Sequence, residues 1–543
     1  MGICIHMEIS KSVEQKVWEK VYEETLFLVK HFPFADRRRV TIHGISTICL
    51  TPTEERVMPW QRFGENPEMG WMTCGDYNNM STAENYSLDR ILLRNGEFEP
   101  DAGDAILGTL PAYIPSTGED ERCRHTYHLW GAKTQGETYH IYLLAVACLI
   151  EARLGEKAFI YGDITRGQCR KAVELANKYL EKPIDLPDRC DADRLFNRIS
   201  KLDCSENEKL TIMELFYLGT KDSQFGEYMR QYFSEKAMEE YWKEKINDYK
   251  IGTVGFNNNF QEYLTLGFDL DKLCTYVKLE DEAGNENVEK FIRRVLDAKL
   301  HLKDKNCADA LEINQEEEKP YGIGILFAQF AFSGARNKKV DRFIPIGEIR
   351  GVLKKHFEDK CDVDSMIDAY LADEEKQIQI NVQKENISDE EFEKAVLQDP
   401  AEVLNQVMNS RKEKFENKER QYDISRNEDL ELYEKGDTMH PKLVESIRGS
   451  RAFLDSLLNE AEYAELMQAE VSVRCQWMVD NNHYMLIRDK DWEKVFSDIE
   501  KNKESFSRYY SLFRVSADSD GQVELIRDMM LNDDLYAFSG SND

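Results

Sequence analysis

Paired cysteines are missing from this sequence of 543 residues, although it contains 12 cysteines. None of them stands in a Cys-x-x-Cys pair, so the spacing predicts neither a zinc ribbon nor a disulfide framework. Cys148 and Cys169 fall within apolar helical patterns, where a thiol packs as a small hydrophobic side chain. We therefore expect free thiols and a reducing, cytoplasmic location.

Long apolar runs are also missing. The longest, residues 141–150 and 323–332, are about half of the roughly 20 residues that a membrane-spanning helix needs. They predict buried core helices. Glu8 interrupts the apolar residues at the start of the sequence, so we expect no secretory leader and no membrane segment.

Positive charge is scarce relative to negative charge. There are 71 Lys and Arg against 102 Asp and Glu, which gives a formal net charge of −31. This excess disfavours nonspecific binding to nucleic acids and to anionic membranes. The dense basic runs, residues 37–39 and 338–339, are short and are typical of solvated turns. An acidic surface instead suits a protein partner, in particular a basic one.

The common catalytic motifs are absent. The sequence contains no HExxH, no GxSxG and no GxGxxG, which removes the usual anchors of hydrolase and dinucleotide-binding assignments. Residues 131–134 resemble the end of a phosphate-binding loop but lack its glycines. A calcium loop starting at Ser516 would require a carboxylate where Arg527 stands. The cofactor, if there is one, stays unknown.

What the sequence does contain is enough apolar material for several cores, with 41% hydrophobic and 11% aromatic residues. We predict an α/β or α+β N-terminal domain followed by a predominantly α-helical C-terminal region. The predicted divisions are a mixed α/β domain at 1–185, a helical domain at 186–372, an acidic linker at 373–399 and a C-terminal helical domain at 400–543.

The N-terminal pattern predicts a strand at residues 2–9, a helix at 12–31 and a bent strand or short hairpin at 40–50. Further on, capping boxes predict helices that begin at Thr134, Thr165, Ser205 and Ser388. The first two of these helices enclose a short strand, which makes an α-β-α unit. Amphipathic helices are predicted at 228–247, 259–277, 287–302, 401–435 and 444–480.

The densest cluster of reactive side chains is formed by Cys123, His125, His128 and His140. Imidazole and thiolate suit zinc, but the spacing matches no closed zinc site, so we predict no metal. The alternative to a ligand site is an ordinary layer of aromatic and histidine side chains around Trp130. As catalytic candidates, the three histidines suit acid–base work, because the ordinary pKa of a histidine side chain is close to neutral pH.

Asp163 is the other catalytic candidate. It follows a predicted strand and precedes a predicted helix, which is where open α/β sheets bind ligands. The candidate binding residues are Lys133, Arg166, Gly167 and Gln168, because cations and helix N-terminal amides hold anions. The alternative is that Asp163 only stabilises the turn and the helix dipole. The interpretation of these residues as a functional site requires the histidine, lysine and aspartate side chains of residues 123–170 to line one shared cavity.

Two functions remain open on the sequence alone, and it does not decide whether the protein is an enzyme. The first is a non-catalytic, acidic protein-interaction protein of the bacterial cytoplasm, for which a role in immunity or defence would suit the charge and the missing motifs. The second is an enzyme that acts on a small phosphorylated or nucleotide-like ligand at the Asp163 turn.

Overall fold

The computed structural model describes residues 3–59, 68–92, 98–110, 124–280, 286–297, 344–384, 423–424, 430, 432–483, 485–517 and 520–541. The chain forms two compact units, each built from two stretches of sequence. The first contains residues 1–28 and 90–410, and the second contains residues 29–89 and 411–543. Because each unit is discontinuous in sequence, the two units do not test the predicted domain limits, which stay a prediction.

The strands are β1 Cys4–Ser10, β2 Phe34–Ile42, β3 Ile45–Pro52, β4 Arg56–Val57, β5 Met69–Asp76, β6 Ser81–Asp89, β7 Thr126–Lys133, β8 Ala158–Gly162, β9 Asp423–Ile424 and β10 Thr438–Met439. In the first unit, β1 lies between β7 and β8 and pairs antiparallel with both. In the second, the strand order is β3-β2-β5-β4, and β6 also pairs with β5.

Helices follow the strands along the chain. Those up to residue 384 are α1 Gln15–Val29, α2 Tyr139–Leu154, α3 Arg166–Asn177, α4 Ala192–Ser200, α5 Glu206–Phe216, α6 Ser223–Tyr232, α7 Glu235–Asn247, α8 Val254–Thr265, α9 Leu270–Tyr276, α10 Val288–Asp297, α11 Ile346–Phe357 and α12 Val363–Lys384. The later ones are α13 Pro441–Leu457, α14 Ala461–Leu466, α15 Val471–Asn481, α16 Asp489–Lys501, α17 Ser505–Arg514, α18 Asp520–Leu531 and α19 Asp533–Ser539.

The predicted fold class is therefore confirmed: sheets with helices come first, and the remainder is mostly helical. The predicted first strand and first helix correspond to β1 and α1. The pattern at 40–50 belongs to a hairpin of β2 and β3, whose turn places His43 at φ 48° and Gly44 at φ 80°. Two positive φ angles in succession are typical of tight hairpin turns.

The capping boxes at Thr165 and Ser205 are present as predicted, each with a reciprocal pair of hydrogen bonds. The box at Thr134 was wrong, because α2 begins only at Tyr139. The Thr134 hydroxyl instead bonds with the Ile3 carbonyl and with His140. Gln135 and Gly136 both have positive φ angles, which a continuous helix does not allow.

Three predicted helices are interrupted in the structure. The segment at 444–480 is divided among α13, α14 and α15. The segment at 228–247 contains the end of α6 and then α7, which starts after a new N-cap at Ser234. The segment at 259–277 contains the end of α8 and α9, separated by Gly267 at φ 72°. The Ser388 box, the apolar run at 323–332 and most of the 401–435 segment lie outside the described residues. The start of the predicted acidic linker is helical, because α12 continues to Lys384.

Each unit has its own apolar core. In the first, Phe159 and Tyr161 of β8 pack with buried side chains of helices α4 to α12. In the second, Ile42 and Ile45 at the hairpin turn share a core with helices α13 to α19. Within the described ranges, no helix combines the length and the apolar character needed to cross a membrane.

Candidate acid–base site

The candidate site lies on one face of the sheet that β1, β7 and β8 form. Side chains alternate along a strand, so His6 and Glu8 of β1 share a face. Tyr161 of β8 pairs with His6, and His128 of β7 pairs with Glu8. The face therefore collects two imidazoles, one carboxylate and one phenol.

An extra residue in β7 is what brings His128 to this face. Met7 pairs with Trp130, but Glu8 pairs with His128, so Leu129 is skipped in the register. Such an insertion is a β-bulge, a feature that redirects side chains next to it. With strict alternation, His128 would share a face with Trp130 instead.

The carboxylate of Glu8 connects the two neighbouring strands. Its Oε1 lies 2.7 Å from His128 Nδ1 and accepts a hydrogen bond of 3.2 Å from the Tyr161 hydroxyl. Glu8 is only 5% exposed, and a buried carboxylate requires such partners. The His128 side chain is 45% exposed, and among the described residues no hydrogen bond reaches its Nε2. Nε2 is therefore the ring nitrogen that Glu8 does not engage, and it lies over Gly131.

His6 completes the face beside them. Its ring stacks on Tyr161 with 4.9 Å between centroids and lies 5.5 Å from the His128 ring. Its Nδ1 is buried without a hydrogen-bond partner in the described part of the chain. Burial, and then the neighbouring His128, lower the pKa of His6 below 6.5. His6 is therefore mostly neutral at pH 7, with a ring nitrogen able to accept a proton.

Two glycines make room for these side chains. A Cβ atom on Gly131 would lie 2.0 Å from His128 Nε2 and 3.0 Å from His6 Nδ1. A Cβ atom on Gly108 would lie 2.7 Å from Glu8 Oε2. Any larger residue at either position would displace the side chains that form the site.

The structure brings two of the four predicted catalytic residues close to this face. His128 belongs to it directly. Asp163 is exposed and accepts a 2.9 Å hydrogen bond from the Cys4 amide, and its charge acts on His6, where it opposes the lowering of the pKa. Both residues thus border His6, which the sequence analysis did not single out.

The other two predicted histidines lie in separate surroundings. His125 is exposed, and its Nδ1 lies 2.5 Å from Glu99 Oε2. His140 is fully buried at the start of α2, with its Nδ1 2.7 Å from Thr134 Oγ1. Burial lowers the pKa of His140 to about 4, so it stays neutral at pH 7. Its role there is that of a core residue.

The predicted binding residues around α3 have mixed surroundings. The side-chain oxygen of Gln168 accepts a hydrogen bond from the Thr165 backbone amide, and the backbone N–H of Gln168 donates to the Thr165 hydroxyl. The capping box therefore already uses both of these groups. Gly167 is buried, whereas Arg166 is exposed. Lys133 is exposed as well and pairs across the sheet with Cys4. Lys133 therefore lies where β1 begins, and Arg166 is the first residue of α3, after the Asp163 turn.

His6, Glu8 and Tyr161 are the residues that sequence reasoning missed. A signal was available, because the His-x-Glu spacing in a strand places both side chains on one face. Tyr161 could not be linked to them without the pairing of β1 with β8.

Metal ligation receives no support from the described residues, in which no group of three or more His, Cys, Asp or Glu side chains is arranged to hold an ion. Cys123, part of the metal hypothesis, lies outside them. No protein-family model matches the chain, and comparisons with curated proteins and with solved structures give no significant match. Functional inference therefore depends on the geometry of the residues themselves.

Proposed function

We propose that the face formed by His6, Glu8, His128 and Tyr161 is the active site of an enzyme acting on a small phosphorylated or nucleotide-like ligand. The observation that carries this proposal is the 2.7 Å contact between His128 Nδ1 and the buried Glu8 carboxylate. A carboxylate in this position fixes the orientation and the tautomer of the ring. With Nδ1 held by Glu8, Nε2 is the nitrogen that would exchange a proton with the ligand.

The second imidazole supplies the complementary role. Burial shifts His6 toward its neutral form, which suits a general base, and His128, held in place by Glu8, is left to act as the proton donor. Lys133, opposite the start of β1, and Arg166, at the start of α3, are exposed cations that can attract a phosphoryl group. Asp163 lies at the same turn and would position the ligand or its leaving group.

The test uses the full chain with p-nitrophenyl phosphate, bis-p-nitrophenyl phosphate and a panel of nucleotides. Turnover is followed by absorbance or chromatography, and binding by thermal shift. We expect His128→Gln to lower kcat about 100-fold or more, as for loss of a general acid or base. The matched control, His125→Gln, removes an exposed histidine that also pairs with a glutamate and is expected to leave the rate unchanged.

Two results would contradict the proposal that this face is an active site. Absence of turnover and of any thermal shift across the panel would reject the enzyme proposal. Equal loss in His128→Gln and His125→Gln would show that the rate does not depend on this face.

A second candidate function is a non-catalytic, acidic protein-interaction protein of the bacterial cytoplasm, with a role in immunity or defence. The exposed carboxylates of Glu462, Glu465, Glu470 and Asp480 around α14 and α15 favour it. The ten described cysteines are all free thiols, which supports a reducing compartment. Binding of a basic protein should weaken steeply with added salt, because screening removes long-range attraction. Salt-independent binding would contradict this candidate.

A further inference from the structure

An open groove lies beside α14 and α15 in the second unit. Its volume is about 320 Å³, and it is lined by Leu466, Ser472, Val473, Gln476, Trp477 and Asp480. The groove is large enough for one or two aliphatic side chains. Its lining combines an apolar floor with polar side chains at the edge.

The floor is apolar and fixed in position. Val473 is 49% exposed on α15 and lines the groove. Trp477 donates its indole N–H to Glu462 Oε1 at 2.9 Å and stacks on Tyr510 with 4.7 Å between centroids. A rigid aromatic surface of this kind loses little entropy when a partner packs against it.

The groove carries negative charge at Asp480, which is exposed and lines it. Glu465 and Glu470, close in sequence to the lining residues Leu466 and Ser472, are exposed as well. Two cations close in sequence or contact are already paired: Arg474 is buried and donates to the Ala469 carbonyl at 2.7 Å, and Arg514 donates to Glu460 at 3.0 Å and lies 3.7 Å from Glu462. An apolar floor within an acidic rim is complementary to an apolar side chain flanked by lysine or arginine.

We infer that this groove docks a basic amphipathic helix of a partner protein, with an aliphatic side chain against Val473 and Trp477 and with cations facing the rim. An apolar groove beside short helices is a common way to receive one face of a helix. The inference rests on the second candidate function and names its surface and the chemistry of its partner. Nucleic acids and anionic lipids would meet a surface of the same sign as their own charge.

The experiment uses the full chain and a fluorescein-labelled synthetic helix of leucine and lysine with all leucines on one face. A second peptide keeps every lysine and replaces the leucines by serine. Fluorescence polarisation at low salt is expected to show binding of the first peptide and at least about tenfold weaker binding of the second, equivalent to about 1.4 kcal/mol.

Variants locate the binding surface. Val473→Asp and Asp480→Lys are each expected to weaken binding of the leucine–lysine helix about tenfold or more. Their matched controls are Val254→Asp, at a valine 75% exposed on α8, and Glu227→Lys, at an exposed position of α6. These controls make the same chemical changes in the first unit and are expected to alter affinity by less than about twofold.

Wild-type affinity in Val473→Asp, equal binding of the two peptides, or no binding of either would each overturn the groove inference. Salt-dependent binding of both peptides that neither groove variant affects would leave the interaction function standing and place it at another surface. Thermal melts of each variant identify any loss of affinity that arises from unfolding.

Discussion

Glu214 of α5 and Glu262 of α8 share a hydrogen bond between their carboxyl groups. Lys245 of α7 joins the pair, with its Nζ 3.3 Å from Glu214 Oε2 and 2.9 Å from Glu262 Oε2. Lys221 and the Tyr241 hydroxyl also contact Glu214. Two carboxyl groups this close cannot both be ionised without cost, so one proton is held between them.

The pair predicts a pH dependence of stability. Burial, and then Glu214, raise the pKa of Glu262 from 4.5 to about 7. The folded state therefore binds more protons than the unfolded state between these values, and the contribution of Glu262 to stability is lost as pH rises through about 7. Burial raises the pKa of Glu214, but Lys221 outweighs it together with the other partners and holds this pKa below its usual range. The contribution of Glu214 to stability is therefore lost only in acid.

Urea unfolding from pH 5 to 8 measures this effect. We expect the free energy of unfolding of the wild type to fall with rising pH relative to Glu262→Gln, which keeps the hydrogen bonds of a neutral side chain. Parallel pH profiles for the two proteins would contradict the shared proton.

His43 predicts a second pH effect, in the other unit. Its ring nitrogens lie 2.7 Å from Glu500 and 2.9 Å from Glu493 on α16, and these hydrogen bonds raise the pKa of His43 above 6.5. Its contribution to stability is complete below pH 6.5 and is lost as pH rises through the raised pKa. His43→Asn should flatten this part of the thermal-unfolding profile, because asparagine tolerates the φ of 48° but cannot become charged. A profile identical to that of the wild type would exclude this role.

Gly131→Ala should destabilise the protein by separating His128 from Glu8. The new methyl group would force the imidazole away, and loss of a hydrogen bond to a charged group costs about 1.5–3 kcal/mol. A double-mutant cycle with His128→Ala checks the cause, since the second change should remove most of the penalty. Additive effects of the two substitutions would show that the glycine matters for another reason.

Gly351→Ala is the matched substitution without a steric penalty. Gly351 lies within α11, and nothing lies within 4 Å of the position that its Cβ would take. We expect stabilisation of about 0.5–1 kcal/mol, because alanine loses less backbone entropy than glycine on forming a helix. Chemical denaturation measures the gain, and a loss of stability would contradict the open surroundings of this position.

Arg198→Met should be among the most destabilising single changes in the first unit. The guanidinium is 5% exposed and binds both oxygens of Asp104 at 2.7 and 2.8 Å. Removing one partner of a buried ion pair leaves a charge without compensation and costs about 3–5 kcal/mol. The control is Arg194→Met on the same helix, whose side chain is 41% exposed, lies 3.8 Å from Asp188 and donates to the Leu186 carbonyl, so its loss should cost clearly less. Similar losses in both variants would contradict the importance of burial.

The helices were the most predictable part of the fold, because their signals are local. The capping boxes at Thr165 and Ser205 consist of two residues three positions apart, and both are formed as expected. The same motif failed at Thr134, whose hydroxyl bonds with Ile3 and His140 instead. The capping box does not form here, because the chain leaves β7 through a turn in which Gln135 and Gly136 have positive φ angles.

The candidate site could be predicted only in part. His128 was identified by residue type and Asp163 by its place between a strand and a helix, whereas Glu8 was not identified, because the sequence does not reveal which strands pair. The skipped residue Leu129 adds a second difficulty, since strict alternation would place His128 with Trp130. Register, rather than composition, decides which side chains meet on this sheet.

The second unit combines residues 29–89 with residues 411–543, and this has a consequence for synthesis on the ribosome. Ile42 and Ile45 emerge early, yet the helices that share their core are translated only after the whole intervening stretch of the first unit. A nascent chain ending near residue 410 would therefore expose the apolar side chains of this hairpin, because the helices that cover them have not yet been synthesised. Such an intermediate is the kind of species that chaperones recognise.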